Sequence, residues 1–492
     1  MNKLKVKSKH LILGLFMVVF GFYSAMANNI QVSNVSITGQ NTTDHYSMIK
    51  FDVSWDNSWR VTSAPSNFDA AWIFIKYRLK SSSVWNHATL HYNGHTSPTG
   101  GSLYGQQDVE IPASSSTYYS YGEMLFASSL LTQGTVNYTD IELRWDYGID
   151  GLVDTNTVEI AVYAIEMVYI NTGSFYVGSG GSESSAFYTN PNTSTPYQIT
   201  SDDYIQMFQN SGSGYLNYAG QTSDMLIEPS YPEGYYGFFC MKYEISQGQY
   251  TDFLNKLTPT QASNRFPNHN GDNRNSIAAP TGGSGAYSTT SEDVACNYLS
   301  WLDVTAYLDW AALRPMSELE YEKVCRGPLA SYPDENVWGN ANINTAEYSL
   351  NNLGNANEGV QTNFDVDSGN VAYDATVPSS VDGPLRCGAF AANSANINRQ
   401  TAGATYYGVM EMSGNVAEFV VSILSGYRDE KGDGNLNSNG EADQTYWPTT
   451  SGFGTKGGSW FESASRLKIS DRNKVNIAVT GRYKTNGGRG VR

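Results

Sequence analysis

The chain has 492 residues, a formal net charge of −17 and a pI near 4.8, with only 16% charged residues. Such acidity repels nucleic acid and anionic lipid and leaves calcium, sugars or a basic protein partner as compatible ligands. Aromatics at 13%, 35 tyrosines and 47 glycines describe strands and turns rather than long helices, and the length suggests two or three domains.

Four lysines (Lys3, Lys5, Lys7, Lys9) precede an apolar run from Leu11 to Tyr23, followed by Ala25-Met26-Ala27 before Asn28. This is the pattern of a cleavable secretory signal over residues 1–27, so the protein is expected to be secreted or held in the cell envelope, periplasm or cell surface. The run is too short to span a membrane comfortably, and no later stretch is long and apolar enough to do so. Cleavage would remove four positive charges and move the formal net charge from −17 to −21.

From Ile30 to about Ile165 apolar and polar residues alternate at period two between turn clusters. Ile49, Phe51, Val53 and Trp55 share one face, with Lys50, Asp52 and Ser54 on the other. Similar runs cover Ala71 to Tyr77, Trp85 to Tyr92, Ile141 to Trp145 and Val158 to Ile165. The spacing predicts an antiparallel β-sandwich over residues 28–165.

At Glu166 the pattern changes without a linker. Residues Glu166 to Gly178 read as a hairpin-like strand pair around a Thr172-Gly173 turn, and a Ser/Gly/Tyr-rich insertion follows from about Ser179 to Tyr231. Three helices are predicted beyond it. Ser246 caps one that carries Tyr250, Phe253, Leu254 and Leu257 on one face. Ser300 with Asp303 opens a second. Ser317 with Glu320 forms a capping box for a third, which buries Tyr321, Val324 and Cys325 and stops at Gly327.

Several short motifs stand in order along this second half: the Met-Val-x-Ile opening at Met167 to Ile170, Leu313 to Glu322, Trp338-Gly339, Gly408-Val-Met-Glu-Met-Ser-Gly-Asn-Val-Ala-Glu-Phe419, Gly457-Gly-Ser-Trp460 and Arg489-Gly-Val-Arg492. Together they resemble the sulfatase-modifying factor, or formylglycine-generating enzyme, family. The resemblance implies an irregular α+β domain related to C-type lectins over residues 166–492, placed after the β-sandwich.

It also bears on chemistry. The oxidases of that family hold copper(I) with two cysteines, since this ion favours soft sulfur ligands. The matching positions here are Glu462 and Leu467, and no cysteine lies beyond Cys387. No copper is therefore expected. Another branch binds iron through histidines, but His269 is the only histidine after residue 165, which excludes a three-histidine site by count.

The resemblance implies a structural calcium at the Ser413-Gly414-Asn415-Val416-x-Glu418 turn, where hard oxygen ligands crowd a tight glycine turn. The alternative at that turn is that Asn415 and Glu418 hydrogen-bond within it and hold no metal. The family's second calcium loop has no counterpart between Asn340 and Asp382.

Three further sets of residues invite a site. His87, His91 and His95 would align on a helix, but the local sequence reads as a strand, where i and i+4 lie about 13 Å apart. Asn435 to Asp443 spaces oxygen side chains as an EF-hand loop does, yet Tyr446 stands where a bidentate glutamate is needed. Arg466, Arg472, Arg482, Arg489 and Arg492 fit pairing with buried acids better than anion binding. Cys240, Cys296, Cys325 and Cys387 could form two disulfides or remain core thiols.

These readings converge on a secreted or envelope binding or structural protein without oxidase chemistry, taking a glycan or polypeptide in an aromatic-lined groove. Similar domains occur in envelope proteins of Bacteroidetes-type bacteria, as the resemblance implies. The alternative is a formylglycine-generating or other metal-dependent oxidase acting on a protein cysteine.

Overall fold

The computed structural model describes residues 29–105, 109–110, 118–207, 212–221, 223–283, 285–360, 367–374, 376, 381–392 and 398–492. The expected signal, residues 1–27, lies outside the described residues. The architecture is mainly β, with antiparallel sheets and few helices.

Two six-stranded sheets carry the N-terminal half. One is built on Gln31–Asn41, Tyr46–Arg60 and Leu131–Trp145; the other orders Phe238–Met241, Val158–Ile170, Asp69–Leu79, Glu123–Ala127 and Gly101–Gly105. The period-two pattern sets the packing. Ile49, Phe51, Val53 and Trp55 from the first sheet meet Ala71, Ile73, Ile75 and Tyr77 from the second in one core.

The strand Asp69–Leu79 is buried on both faces. Its alternate residues Ala70, Trp72 and Phe74 point the other way, into a larger core shared with the helices of the C-terminal half. The sheet is thus a common wall between two cores, and apolar residues at every position from Ala70 to Ile75 are its sequence signature.

The strand Val158–Ile170 is continuous through the expected boundary at residues 165 and 166. It pairs with Asp69–Leu79 along its length, and its last four residues also pair with Phe238–Met241. The hairpin expected over residues 166–178 is not formed. Phe175–Val177 instead pairs with Tyr197–Ile199, while Phe238–Met241 takes one edge of the longer strand over Met167 to Ile170 and Asp69–Leu79 holds the other as far as Val168. The segment 179–231 contributes a four-stranded sheet, and its Phe187, Ile205, Met207, Leu216 and Ile227 enter the larger core.

The three expected helices are α1 (Gln247–Leu254), α3 (Trp301–Trp310) and α4 (Glu318–Arg326), each opened by a complete capping box from Ser246, Ser300 and Ser317. A fourth, α2 (Pro259–Arg265), uses Thr258 and Gln261 in the same way, with proline at its first turn. That signal is present in the sequence as Thr258-Pro259-Thr260-Gln261. The run Trp85 to Tyr92 is not one strand. Asn86–His87 joins the second sheet and Leu90–His91 the first, so the chain crosses between sheets there. All four cysteines are free and buried.

Candidate functional site

The motif at 408–419 forms the centre of the C-terminal half. Its strand Ala417–Val421 pairs antiparallel with Phe453–Lys456 and parallel with Asn486–Gly487, the segments that lead into the motifs at 457–460 and 489–492. Gly414 (φ 82°) and Asn415 (φ 59°) turn the chain into that strand.

Protein groups close this turn. The Ser413 hydroxyl donates to the Leu467 carbonyl at 2.6 Å, and Gly414 N–H donates to the Gly457 carbonyl at 2.8 Å. Asn415 donates its amide to Glu244 at 2.7 Å and accepts from Leu385 N–H at 2.8 Å, while its carbonyl accepts from Trp460 N–H. Val416 N–H donates to Glu244 at 3.0 Å. Glu418 Oε1 accepts from Arg489 Nη2 at 2.8 Å and Nε at 3.0 Å, with both side chains fully buried. Among the turn's side-chain oxygens, Glu418 Oε2 is buried without a hydrogen-bond partner. The side-chain oxygens of Ser413 and Asn415 and one oxygen of Glu418 are thus engaged by the protein, and Arg489 already supplies a neutralising charge.

Burial pushes the Glu418 carboxyl up to about 7 against the opposing pull of Arg489, and Glu411, buried nearby, likewise rises to about 7. Glu244 is raised by burial and by the charges of Glu411 and Glu418. These three acids with Arg489 form an inner polar core rather than an open site.

The two positions that the resemblance assigns to copper thiolates do not fit that ion. Leu467 is fully buried in a hydrophobic cluster with Tyr321, Val324 and Ile469. Glu462 forms an ion pair with Lys474 and accepts from Ser459 at 3.3 Å. Neither side chain can supply a soft sulfur ligand.

An open cleft of about 360 Å³ lies elsewhere, where the N-terminal sheets meet the motif. Trp59, Tyr243, Tyr406 and Tyr407 supply aromatic surface; Asn57, Asn67, Gln133 and Asn398 supply amides; Arg399 lies 5.9 Å from the Tyr406 ring centroid. Gly408 (φ 90°) forms part of the wall. A Cβ there would lie 3.1 Å from the Trp59 ring, so glycine at this motif position lets the indole approach.

Trp59 is held by its Nε1–H donating to Asn67 at 3.1 Å, and Asn67 in turn donates to the Tyr407 carbonyl at 2.8 Å. Behind them Lys242 is buried, 4.9 Å from the Trp59 ring, and pairs with Glu166 at 2.9 Å and Asp69 at 3.3 Å. Sequence reading did not single out Trp59, Lys242, Arg399 or Tyr406. The available signal was a lone lysine following the apolar run Phe238 to Met241.

The profile of the sulfatase-modifying factor enzyme 1-like domain matches residues 154–492, more than half of the chain. The chain belongs to the sulfatase-modifying factor family. A search of curated proteins finds no match. Among solved structures, Treponema denticola variable protein 1 is similar at 12% identity, covering 67% of this chain and 95% of that one, with a TM-score of 0.32.

The remaining sequence candidates take structural roles within or beside the family domain. His87 is buried and bonds the Tyr121 carbonyl at 2.6 Å, His91 bonds the Asn93 carbonyl, and His95 lies 3.1 Å from Glu123. His269 stacks on Tyr298 at 3.8 Å. Arg472 pairs with Glu318, Arg482 with Asp303, Arg489 with Glu418 and Arg466 with Asp471. Arg492 lies 3.9 Å over the Trp72 ring.

The loop Asn435 to Asp443 turns on Asn437, whose side chain accepts from Asn439 and Glu441 N–H, and α2 fastens it through Gln261 and Asn264. Tertiary folding also brings Asp443 to Asp433 and Asp309, their carboxylate oxygens lying within 4.8 Å of one another. Asp309 accepts from Asp433 N–H, Asp443 N–H and Gln444, which satisfies the loop from within. The described residues include no helix long and apolar enough to cross a membrane.

Proposed function

We propose that this family member is a secreted or cell-envelope binding protein without oxidase chemistry, in which a β-sandwich and the lectin-related domain together present a glycan-binding cleft. The cleft lined by Trp59, Tyr406, Asn67, Gln133 and Arg399 carries this reading. Half-buried rings offer faces to the C–H surface of a sugar, and neutral amides with one guanidinium suit its hydroxyls. Glu462 and Leu467 support the loss of copper chemistry, and Glu418 paired with Arg489 favours a turn closed without calcium.

The test is a glycan-array screen followed by titration with the best oligosaccharide. Binding weakened at least about tenfold by Trp59→Ala or Tyr406→Ala, with folding retained, supports the reading. Binding of unstructured polypeptides but no glycan at the same residues would replace the sugar by a peptide segment. Copper-dependent oxidation of the cysteine in a Cys-x-Pro-x-Arg peptide, followed by mass, would overturn the non-oxidase assignment.

A further inference from the structure

A second and larger cavity, about 560 Å³, lies between the outer face of the second sheet and α1. Its floor is aromatic. Tyr163 stacks on Phe74 with ring centroids 5.3 Å apart, Trp310 meets Tyr163 edge-on at 5.0 Å, and Tyr307 lies beside Trp310 at 5.9 Å.

The opposite wall is the segment 287–293, fixed to α1 at both ends. Asn255 exchanges two hydrogen bonds with the Tyr287 backbone at 3.0 and 2.8 Å, while the N–H groups of Gln247 and Gly248 donate to the Val294 and Glu292 carbonyls at 2.9 and 2.8 Å. Gly248 permits this approach, since a Cβ there would lie 3.1 Å from Glu292. The wall is therefore rigid and the cavity preformed.

Three carboxylates, Asp252, Glu292 and Asp293, line the cavity. None has a side-chain hydrogen bond or ion pair among the described residues. Lys256 and Arg386 act on Asp252 and Asp293 only through space. Asp252 and Glu292 open to solvent at the mouth and Asp293 is half-buried; partial desolvation raises Asp252 and pushes Asp293 up to about 6. Two further lining residues, Thr251 on α1 and Trp310 in the floor, are 6% and 4% exposed and leave Oγ1 and Nε1 without a hydrogen-bond partner; the threonine hydroxyl can accept from a ligand, the indole N–H can only donate.

We propose that this cavity binds a primary alkylammonium group, its charge set among Asp252, Glu292 and Asp293 and its methylene chain laid on Tyr163, Tyr307 and Trp310. An ammonium is attracted by carboxylates and by aromatic faces at once, whereas a neutral polyol gains from neither charge. The same chemistry is carried by a free diamine and by a lysine side chain of a polypeptide.

Calorimetric titration of the full chain with cadaverine, with a capped Gly-Lys-Gly peptide and with the neutral isostere 1,5-pentanediol tests this. Either or both of the first two should bind, pentanediol should not, and which of them binds identifies the source. Asp252→Asn and Glu292→Gln should each weaken binding by roughly fivefold or more, and the double variant by more still. The control Glu228→Gln, outside the cavity, should leave the affinity unchanged, and thermal melts confirm that each variant is folded. Equal binding of pentanediol, no binding of either amine, or equal loss on Glu228→Gln would overturn the assignment.

Discussion

Lys242 Nζ lies 2.9 Å from Glu166 Oε2, with both side chains almost fully excluded from solvent. Glu166 belongs to the strand that runs out of the N-terminal sheets, and Lys242 follows the strand Phe238–Met241 that pairs with it. Burial alone would lower the lysine, but the charges of Glu166 and Asp69 hold it raised. Lys242→Met leaves two buried acids without their cation. It should destabilise the protein by about 3–5 kcal/mol, measured by urea unfolding, and should cost more than the triple change that also makes Glu166 and Asp69 neutral.

Gly408 combines a positive φ with the close approach of Trp59. Gly408→Ala should cost about 1–3 kcal/mol from backbone strain and crowding together. The indole should also move, which a shift in tryptophan emission checks against the Trp59→Phe background.

Asp309 and Lys76 make stability depend on pH at the junction of the two halves. Burial, reinforced by Asp433 and Asp443, pushes Asp309 up to about 8; burial pulls Lys76, which donates to the Gly434 carbonyl at 2.8 Å, down to about 7. A raised acid binds more protons folded than unfolded, so its contribution falls as pH rises from the ordinary aspartate range through about 8. A lowered lysine contributes most above its ordinary range and loses that contribution as pH falls through about 7. Asp309→Asn should therefore flatten the decline of melting temperature between pH 5 and 8 while lowering it overall. An unchanged slope would show that Asp309 does not carry it.

Glu418 and Arg489 give a direct test of whether the motif turn needs metal. Glu418→Gln removes the one carboxylate hydrogen-bonded to the buried Arg489 guanidinium, leaving only the more distant Glu244 and Glu411, and should cost about 3–5 kcal/mol. Adding EGTA to the wild-type protein should leave its melting temperature unchanged. A clear drop with EGTA, reversed by calcium, would instead assign Glu418 Oε2 and its neighbours to an ion.

Leu467 fills a closed cluster where the resemblance places a copper ligand. Leu467→Ala should destabilise by about 2–5 kcal/mol, as buried leucines do, whether or not any ligand is present. A loss confined to ligand binding would contradict its role as core.

The sequence by itself determined the family, the alternating strand faces and three capped helices, because each depends on residues close in the chain. Ile49 to Trp55 face one core at period two, and Ser246, Ser300 and Ser317 bond backbone groups three residues away. It also showed that Glu462 and Leu467 bring no thiolates. Tertiary structure decided the rest. The expected hairpin after Glu166 gave way because Phe238–Met241, some seventy residues on, took the strand's free edge. Asp443 reached Asp309 across the fold, and Trp59 met Gly408. Both cavities lie between segments distant in sequence, so local pattern could propose an aromatic groove but could not say which rings and charges would line it.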